Sequence, residues 1–188
     1  MEIKESNTCA FTGHRPGKFP WKYDESAPGC VALKAALTEQ ITVLADRGIT
    51  DFISGMALGT DMICARIVLA LRRKNPAIKL HCALPCKTQA DSWTASSREQ
   101  YQEILAQADS SILVSQVYTP DCMLKRNCFM VDHAAVLLAV YNGEYRGGTS
   151  MTIRYARKVG RELYILNPFT LELTHEEANM EKRDNLLM

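Results

Sequence analysis

The sequence has no long hydrophobic run and no strong excess of charge. Its longest wholly apolar stretch is residues 134–141, far below the roughly 20 residues that span a bilayer as a helix. The amino-terminal MEIKESNTC carries no apolar signal core. The net charge of +1 gives no general attraction to nucleic acid or to an anionic membrane. We therefore expect a cytoplasmic protein that does not bind membranes.

The sequence also lacks a cysteine pattern that would support a disulfide framework. Its 7 cysteines are an odd number, scattered singly through apolar segments, which is typical of reduced thiols in a cytoplasm. Cys82 and Cys86 are close in sequence, but no second pair of metal ligands follows at a suitable spacing. We predict no metal site.

Short apolar runs alternate with segments of helical periodicity. Leu33, Leu37 and Ile41 recur at helical spacing, and Gly48 is placed to end that helix in a left-handed conformation. A loop rich in proline and glycine, which includes Pro28, precedes this helix. Six strands are predicted at 8–12, 51–56, 78–84, 111–115, 135–140 and 162–166. The other helices are predicted at 60–74, at about 93–108 with Asp91 or Ser92 as cap, at 121–134 and at 149–158.

The predicted strands are continuous apolar runs rather than alternations, so both faces of the sheet should be covered. Helices between the strands favour crossover connections. We predict an α/β, Rossmann-like, doubly wound and mostly parallel sheet of about six strands with helices on both faces. The chain is predicted to be one domain, 1–188, with a core at about 8–168. Residues 170–188 are predicted as a peripheral tail, helical or partly mobile.

In open parallel sheets, ligands bind outside the carboxyl ends of the strands, and three predicted loops there carry unusual residues. The first holds Gly13, His14 and Arg15. Gly13 permits close approach of the backbone to a ligand, and Arg15 offers a fork of donors suited to phosphate. His14 can donate to the same anion. The alternative is that Arg15 pairs with an acidic residue and His14 caps a turn.

The second loop bridges the second strand and its helix, and its candidate binding residues are Ser54, Gly55, Gly59, Thr60 and Asp61. Its glycines permit a tight turn, and the free N–H groups of a helix start suit phosphate. Asp61 either accepts ribose hydroxyls or caps the helix.

The third loop contains Gly147, Gly148, Thr149 and Ser150, between the fifth strand and the next helix. Glycines followed by hydroxyl residues at a helix start form a second anion cradle. Two tyrosines flank this loop and either stack on a base or serve packing: Tyr141 and Tyr145.

Arg126 and Asn127 form a fourth candidate segment, on the helix before the fifth strand. Arg126 shares a helix face with Met130. If that face points towards the cleft, Arg126 and Asn127 would both offer hydrogen-bond donors to it. The alternative is a solvated Arg126 with Met130 in the core.

Four motifs in this order resemble the SLOG superfamily, which groups DprA/Smf proteins with LOG enzymes, and most closely its YpsA-like family. They are FTGHRP at 11–16, SGMALGTD at 54–61, RNxxMVD at 126–132 and GGTS at 147–150. LPCKTQADSW at 84–93 also fits the YpsA-like pattern. The resemblance covers about 8–168 and implies a Rossmann-like fold, glycine-rich loops that bind nucleotides, and a homo-oligomer.

The resemblance leaves enzymatic activity uncertain. LOG enzymes cleave a nucleoside monophosphate with a PGGxGTxxE motif and an upstream arginine, and Arg126 matches that arginine. The motif's glutamate is missing here, because no acidic residue follows Thr149 before Glu162. Glycosidic cleavage needs a carboxylate near the sugar; Glu144 and Asp132 are the nearest substitutes in sequence.

We therefore weigh three hypotheses. The leading one is a sensor or regulatory module that binds a nucleotide-like small molecule, such as a nucleotide, NAD or an ADP-ribose-like ligand. The second is a LOG-type phosphoribohydrolase. The third, which is not favoured, is DprA-like binding of single-stranded nucleic acid, which needs a basic groove. Its candidate cations are Arg72, Arg73, Lys74, Arg154, Arg157 and Lys158.

Overall fold

The computed structural model describes residues 4–179. Its strands are β1 Thr8–Gly13, β2 Asp51–Ser54, β3 Lys79–Leu84, β4 Ser110–Leu113, β5 Val136–Val140, β6 Glu162–Leu166 and β7 Leu173–Glu176. Its α-helices are α1 Pro28–Asp46, α2 Thr60–Arg72, α3 Ala95–Gln107, α4 Cys122–Asp132 and α5 Gly148–Lys158. These elements confirm the predicted α/β, Rossmann-like class.

All seven strands form one sheet in the order β4-β3-β2-β1-β5-β6-β7. Every neighbouring pair is parallel except β6 and β7. From β1 the chain builds outwards to β4 on one side and then returns to place β5 on the other side. The sheet therefore has its topological switch point between β1 and β5, where folds of this type leave a crevice for ligands.

Two apolar cores cover the two faces of the sheet. In β1, Cys9 and Phe11 belong to one core, which α1, α2 and α3 complete, whereas Ala10 belongs to the other, beneath α4 and α5. Neighbouring side chains on a strand point to opposite faces, so a continuous apolar run serves both cores. Phe11 and Phe52 stack across β1 and β2 with ring centroids 5.8 Å apart.

The carboxyl-terminal segment corrects one prediction. Residues 173–176 form β7, antiparallel to β6 at the edge of the sheet, and not the helix that was considered for the tail. This strand is mostly exposed and has no apolar run, so its sequence does not resemble the buried strands. The rest of the predicted tail, 180–188, lies outside the described residues.

Two helix starts also differ from the prediction. Helix α1 begins at Pro28, where a proline fits because the first helical N–H needs no partner, rather than after a longer loop. Helix α3 is capped by Thr94, whose hydroxyl accepts a bond from the N–H of Ser97 at 3.2 Å, and not by Asp91 or Ser92. The end of α1 is as predicted, because Gly48 has φ +97°.

Candidate functional site

The carboxyl end of β1 opens into a cavity of about 390 Å³ at the switch point. The loop after β1 forms one side, and the loop between β5 and α5 forms another. This volume lies within the range of about 300–1,000 Å³ that small-molecule sites occupy. The predicted site residues that line it are Gly13, His14, Arg15, Asp61, Arg126, Asn127, Gly147, Gly148 and Thr149.

Helix α5 presents its first turn to this cavity. Gly147, which precedes the helix, has φ +119°, and no side chain among residues 4–179 caps the helix start. A Cβ built on Gly148 would meet only the amide nitrogen of Asn127, 4.0 Å away. First-turn N–H groups have no carbonyl partner within a helix, and the helix dipole makes this end positive. The start of α5 therefore offers hydrogen-bond donors to an anion.

The start of α2 has a similar glycine pattern but packs against the loop after β1. The N–H and the hydroxyl of Thr60 donate to the carbonyl of His14, at 3.2 and 3.1 Å. A Cβ on Gly13 would lie 2.3 Å from the Thr60 hydroxyl oxygen, and a Cβ on Gly59 would lie 2.6 Å from the His14 carbonyl oxygen. The two glycines thus allow this close approach. Five predicted residues do not line the cavity: Ser54, Gly55, Gly59, Thr60 and Ser150.

Arg126 and Asp61 form a buried ion pair at the cavity, with Nη1 and Oδ2 3.5 Å apart and side chains only 4% and 8% exposed. Arg126 also donates from Nη1 to the Gly55 carbonyl and from Nε to Asn127 Oδ1, the latter at 2.9 Å. Burial raises the pKa of Asp61 despite the opposing charge of Arg126. Arg126 therefore ties α4 to the loop after β2, and the alternative of a solvated arginine is wrong.

Asn127 and Ser150 stabilise the walls through bonds to other residues. The amide nitrogen of Asn127 donates to the Thr152 hydroxyl at 2.9 Å, which joins α4 to α5. Ser150 is buried, and its hydroxyl donates to the Tyr145 carbonyl at 2.8 Å, which holds the loop before α5.

His14 is buried and hydrogen-bonds through Nε2 to Asn142 Oδ1 at 2.9 Å. Since an amide oxygen only accepts, Nε2 carries the proton and Nδ1 is an acceptor. Burial lowers the pKa of His14, so the neutral ring is favoured. The neutral ring uses its one N–H within the protein, which differs from the expected donation to a bound anion.

The cavity has an excess of positive charge. Four cations and two carboxylates line it: Arg15, Lys18, Arg126, Arg146, Asp61 and Glu144. Lys18 and Glu144 pair at 2.5 Å, and Lys18 lowers the pKa of this carboxyl. Arg15 and Arg146 are exposed, and neither forms an ion pair within the described part of the chain. These two guanidinium groups therefore remain available to an anionic ligand.

Sequence reasoning missed Lys18 and Asn142 as contributors to the cavity. Lys18 lies in a short 3-10 helix, Pro16–Lys18, which brings it back towards Glu144. The sequence signal for this helix is Pro16, two residues before Lys18. The partner of Lys18, Glu144, lies 126 residues away in the chain. Such a contact depends on the order of strands in the sheet, which local patterns do not carry.

Within residues 4–179, no group of three or more His, Cys, Asp and Glu side chains is arranged to hold a metal ion. None of the helices in the same range combines the length and apolarity needed to cross a bilayer.

A doubly wound sheet with a cavity at its switch point defines a Rossmann-like α/β protein. The YpsA family model, described as the YspA SLOG family, matches residues 9–171. The chain therefore belongs to this SLOG family, and the resemblance drawn from its motifs is confirmed.

Individual relatives agree with this assignment. The SPbeta prophage-derived protein YoqJ of Bacillus subtilis strain 168 is 36% identical over 141 residues, which is 66% of this chain and 82% of that protein. A UPF0398 protein of Bacillus cereus strain G9842 is 30% identical over 154 residues, 80% of this chain and 83% of its own.

A solved structure supports the fold. DNA processing protein A from Helicobacter pylori, whose structure is described as showing a single-stranded DNA binding mode, is similar with a TM-score of 0.58 and 18% identity. The similarity covers 96% of this chain and 71% of that one. At this identity the likeness concerns the fold alone.

Proposed function

We propose that this protein is a binding module for a phosphate-bearing, nucleotide-like small molecule. The observation that carries the proposal is the uncapped first turn of α5, which faces a cationic cavity at the switch point. Helix starts of this kind bind phosphate through their free N–H groups and positive dipole. Arg15 and Arg146 would supply bidentate, charge-assisted hydrogen bonds.

The rest of the cavity suits a ribose and a base. Tyr141 lines it, half-buried, with its ring centroid 5.9 Å from that of His14. An aromatic ring in this position offers a stacking surface to a nucleobase. Glu144 and Asp61 provide carboxylate acceptors for ribose hydroxyls. These features support a nucleotide, NAD or an ADP-ribose-like molecule over a simple anion.

Titration calorimetry against AMP, ADP-ribose, NAD and inorganic phosphate tests this proposal. We expect saturable binding of at least one of the three nucleotides, and binding should weaken about 10- to 100-fold in Arg15→Gln, since a hydrogen bond to a charged group contributes ~1.5–3 kcal/mol. Arg73→Gln is the matched control, because it removes the same charge from an exposed residue outside the cavity. Absence of binding at millimolar nucleotide would contradict the proposal.

The carboxylates at the cavity support binding of a nucleotide better than its hydrolysis. A general acid or base near the sugar should have a pKa tuned towards neutrality. The pKa of Glu144 is lowered by Lys18, whereas Asp61, with its raised pKa, is buried against Arg126. Release of free adenine from AMP at high enzyme concentration, lost in Glu144→Gln, would favour the phosphoribohydrolase over pure binding.

Nucleic-acid binding has one favourable observation, the fold shared with a DNA processing protein whose structure is described with single-stranded DNA. The candidate cations are partly neutralised here, because Arg72 pairs with Asp109 at 2.7 Å and Arg157 with Glu176 at 2.6 Å. Gel shifts on single strands at two salt concentrations decide the question, since phosphate neutralisation by cations weakens with salt.

A further inference from the structure

A second and larger cleft, of about 680 Å³, lies beside the cationic cavity. The loop after β1, the start of α2 and the amino-terminal part of α3 enclose it. Pro16 and Gly59 line this cleft, whereas Arg15, one residue before Pro16, and Ala57, two residues before Gly59, line the cationic cavity. The close contact of Gly59 with the His14 carbonyl therefore separates the two spaces.

Four aromatic residues line the second cleft: Phe19, Trp21, Tyr23 and Trp93. Both tryptophans of the sequence, Trp21 and Trp93, line it and are only half-buried. Trp21 stacks on Phe19 with ring centroids 4.9 Å apart and an interplanar angle of 11°, while Trp93 packs edge-on against Tyr101 at 5.4 Å. Each indole is thus held in place by one aromatic neighbour and still has surface towards the cleft.

The position of Trp21 is fixed by the start of α1. A Cβ on Gly29 would lie 2.7 Å from the six-membered ring of Trp21, so the ring packs directly on the helix backbone. Met62, which is buried, and Leu58 complete the apolar lining from the side of α2. A rigid, partly exposed aromatic lining of this kind is typical of a site for a flat ring.

The charged groups of the second cleft largely satisfy one another. Nη2 of Arg66 lies 2.6 Å from both oxygens of Glu25, and Nη1 donates to Gln100 Oε1 at 3.1 Å. Lys34 also pairs with Glu25, at 2.6 Å. The amide nitrogen of Gln100 has no acceptor within residues 4–179. Lys22 also lines the cleft; it is exposed and forms no ion pair within residues 4–179. The other charged groups of the cleft are paired, so it offers mainly neutral hydrogen-bonding groups, unlike the cationic cavity with its two unpaired arginines.

We propose that this cleft is a second small-molecule site, which takes an uncharged, planar nitrogen heterocycle of nucleobase size. The ring would stack on Trp93, and Gln100, which lines the cleft from the same side, would donate to a ring nitrogen or a carbonyl. Stacking on an aromatic side chain binds any base through its π-face, and an amide adds direction to the contact. The site is independent of the phosphate-binding function proposed for the cationic cavity.

Intrinsic fluorescence gives a direct test, because both tryptophans belong to this cleft. When tryptophan is excited at a wavelength that adenine does not absorb, we expect free adenine to quench the fluorescence saturably. Inorganic phosphate in excess should not displace it, because phosphate has no ring to stack. In calorimetry, adenine binding should weaken about 5- to 150-fold in Trp93→Ala and measurably in Gln100→Ala. Tyr118→Ala, which removes an exposed aromatic that does not line the cleft, is the matched control and should bind adenine normally.

Gln100→Ala keeps the test decisive if Trp93→Ala fails to fold, because Gln100 is exposed on α3. Four results would overturn the proposal. The first three are no saturable quenching, equal adenine binding in wild type and both cleft variants, and equal quenching by methyl glucoside, which would indicate a sugar site. Displacement of adenine by phosphate would place the base in the cationic cavity and also overturn it. If adenine does not bind, the proposal for the second cleft fails, but the proposal that AMP binds in the cationic cavity is tested separately and is unaffected.

Discussion

Among single residues, Arg126 does most to join separate parts of the site. Its guanidinium contacts Asp61, the Gly55 carbonyl and Asn127, and it is almost wholly buried. A buried charge is costly unless it is paired, and removal of one partner leaves the other uncompensated. We therefore expect a change at this residue to affect both the stability of the protein and the shape of the cavity.

We expect Arg126→Ala to lower the free energy of unfolding by about 3–5 kcal/mol, because it leaves Asp61 buried without its partner. The double variant with Asp61→Asn should lose less than the sum of the two single changes. Denaturation with urea measures both quantities. Lys125→Ala is a fitting control, since its ion pair with Asp121 is exposed and should contribute at most about 1 kcal/mol. Strict additivity of the two changes would contradict this account.

His14 makes a prediction about pH. Burial lowers its pKa below the ordinary value of 6.5, so the unfolded chain binds the proton more readily than the folded protein. The contribution of neutral His14 to the free energy of unfolding should therefore be fully present above about pH 6.5. It should be lost as the pH falls below that value, through the lower pKa of the folded state. His14→Gln should flatten this part of the curve in denaturation experiments between pH 8 and pH 5. If the dependence of stability on pH were the same in His14→Gln as in the wild type, groups other than His14 would be responsible for it.

At the scale of elements, α2 and α5 begin with similar glycine-rich sequences but have different surroundings. The first N–H of α2 bonds to the loop after β1, whereas the first turn of α5 faces the cavity. An anion is therefore expected to stabilise the start of α5 and not the start of α2.

Gly148→Asp tests the role of α5 directly. The new carboxylate should supply the missing negative charge, raise the free energy of unfolding by about 0.3–1 kcal/mol and prevent nucleotide binding. Space is available, because a Cβ at this position meets nothing closer than 4.0 Å. Gly148→Ala restricts the unfolded chain to a similar degree but adds no charge, so it is the reference against which this stabilisation is measured. Equal stability of the two variants in thermal denaturation would count against an anion site at this helix.

The elements show how far the sequence could predict the structure. The other six strands were predictable because each contains apolar residues between turn signals, and this holds even for β4, which lies at the other edge of the sheet and is only partly buried. Strand β7 was not, since an exposed edge strand has few apolar residues. The loops after β1 and β5 could be placed together because parallel strands share an edge. The inward turn of Arg126 and the contact of Thr60 with His14 depend on tertiary packing, which no local pattern encodes.

For the molecule as a whole, a single domain and a homo-oligomeric state remain predictions. One sheet with a core on each face favours a single cooperative transition, and the resemblance to SLOG proteins implies assembly. We expect one calorimetric unfolding transition and a light-scattering mass at least twice the chain mass of 21.0 kDa. Two separate transitions would argue against one domain, and a mass of one chain would argue against the oligomer.

The central claim, that the first turn of α5 holds the phosphate of a nucleotide, is tested most directly by the amide spectrum of the labelled protein during titration with AMP. The account predicts saturable shifts of the N–H signals of Gly148 and Thr149, with no comparable shifts at Thr60, whose N–H already bonds to His14. The same signals should barely move with adenosine at equal concentration, since adenosine lacks the phosphate. Signals of Gly148 and Thr149 that stay unmoved while AMP binds elsewhere would contradict the account.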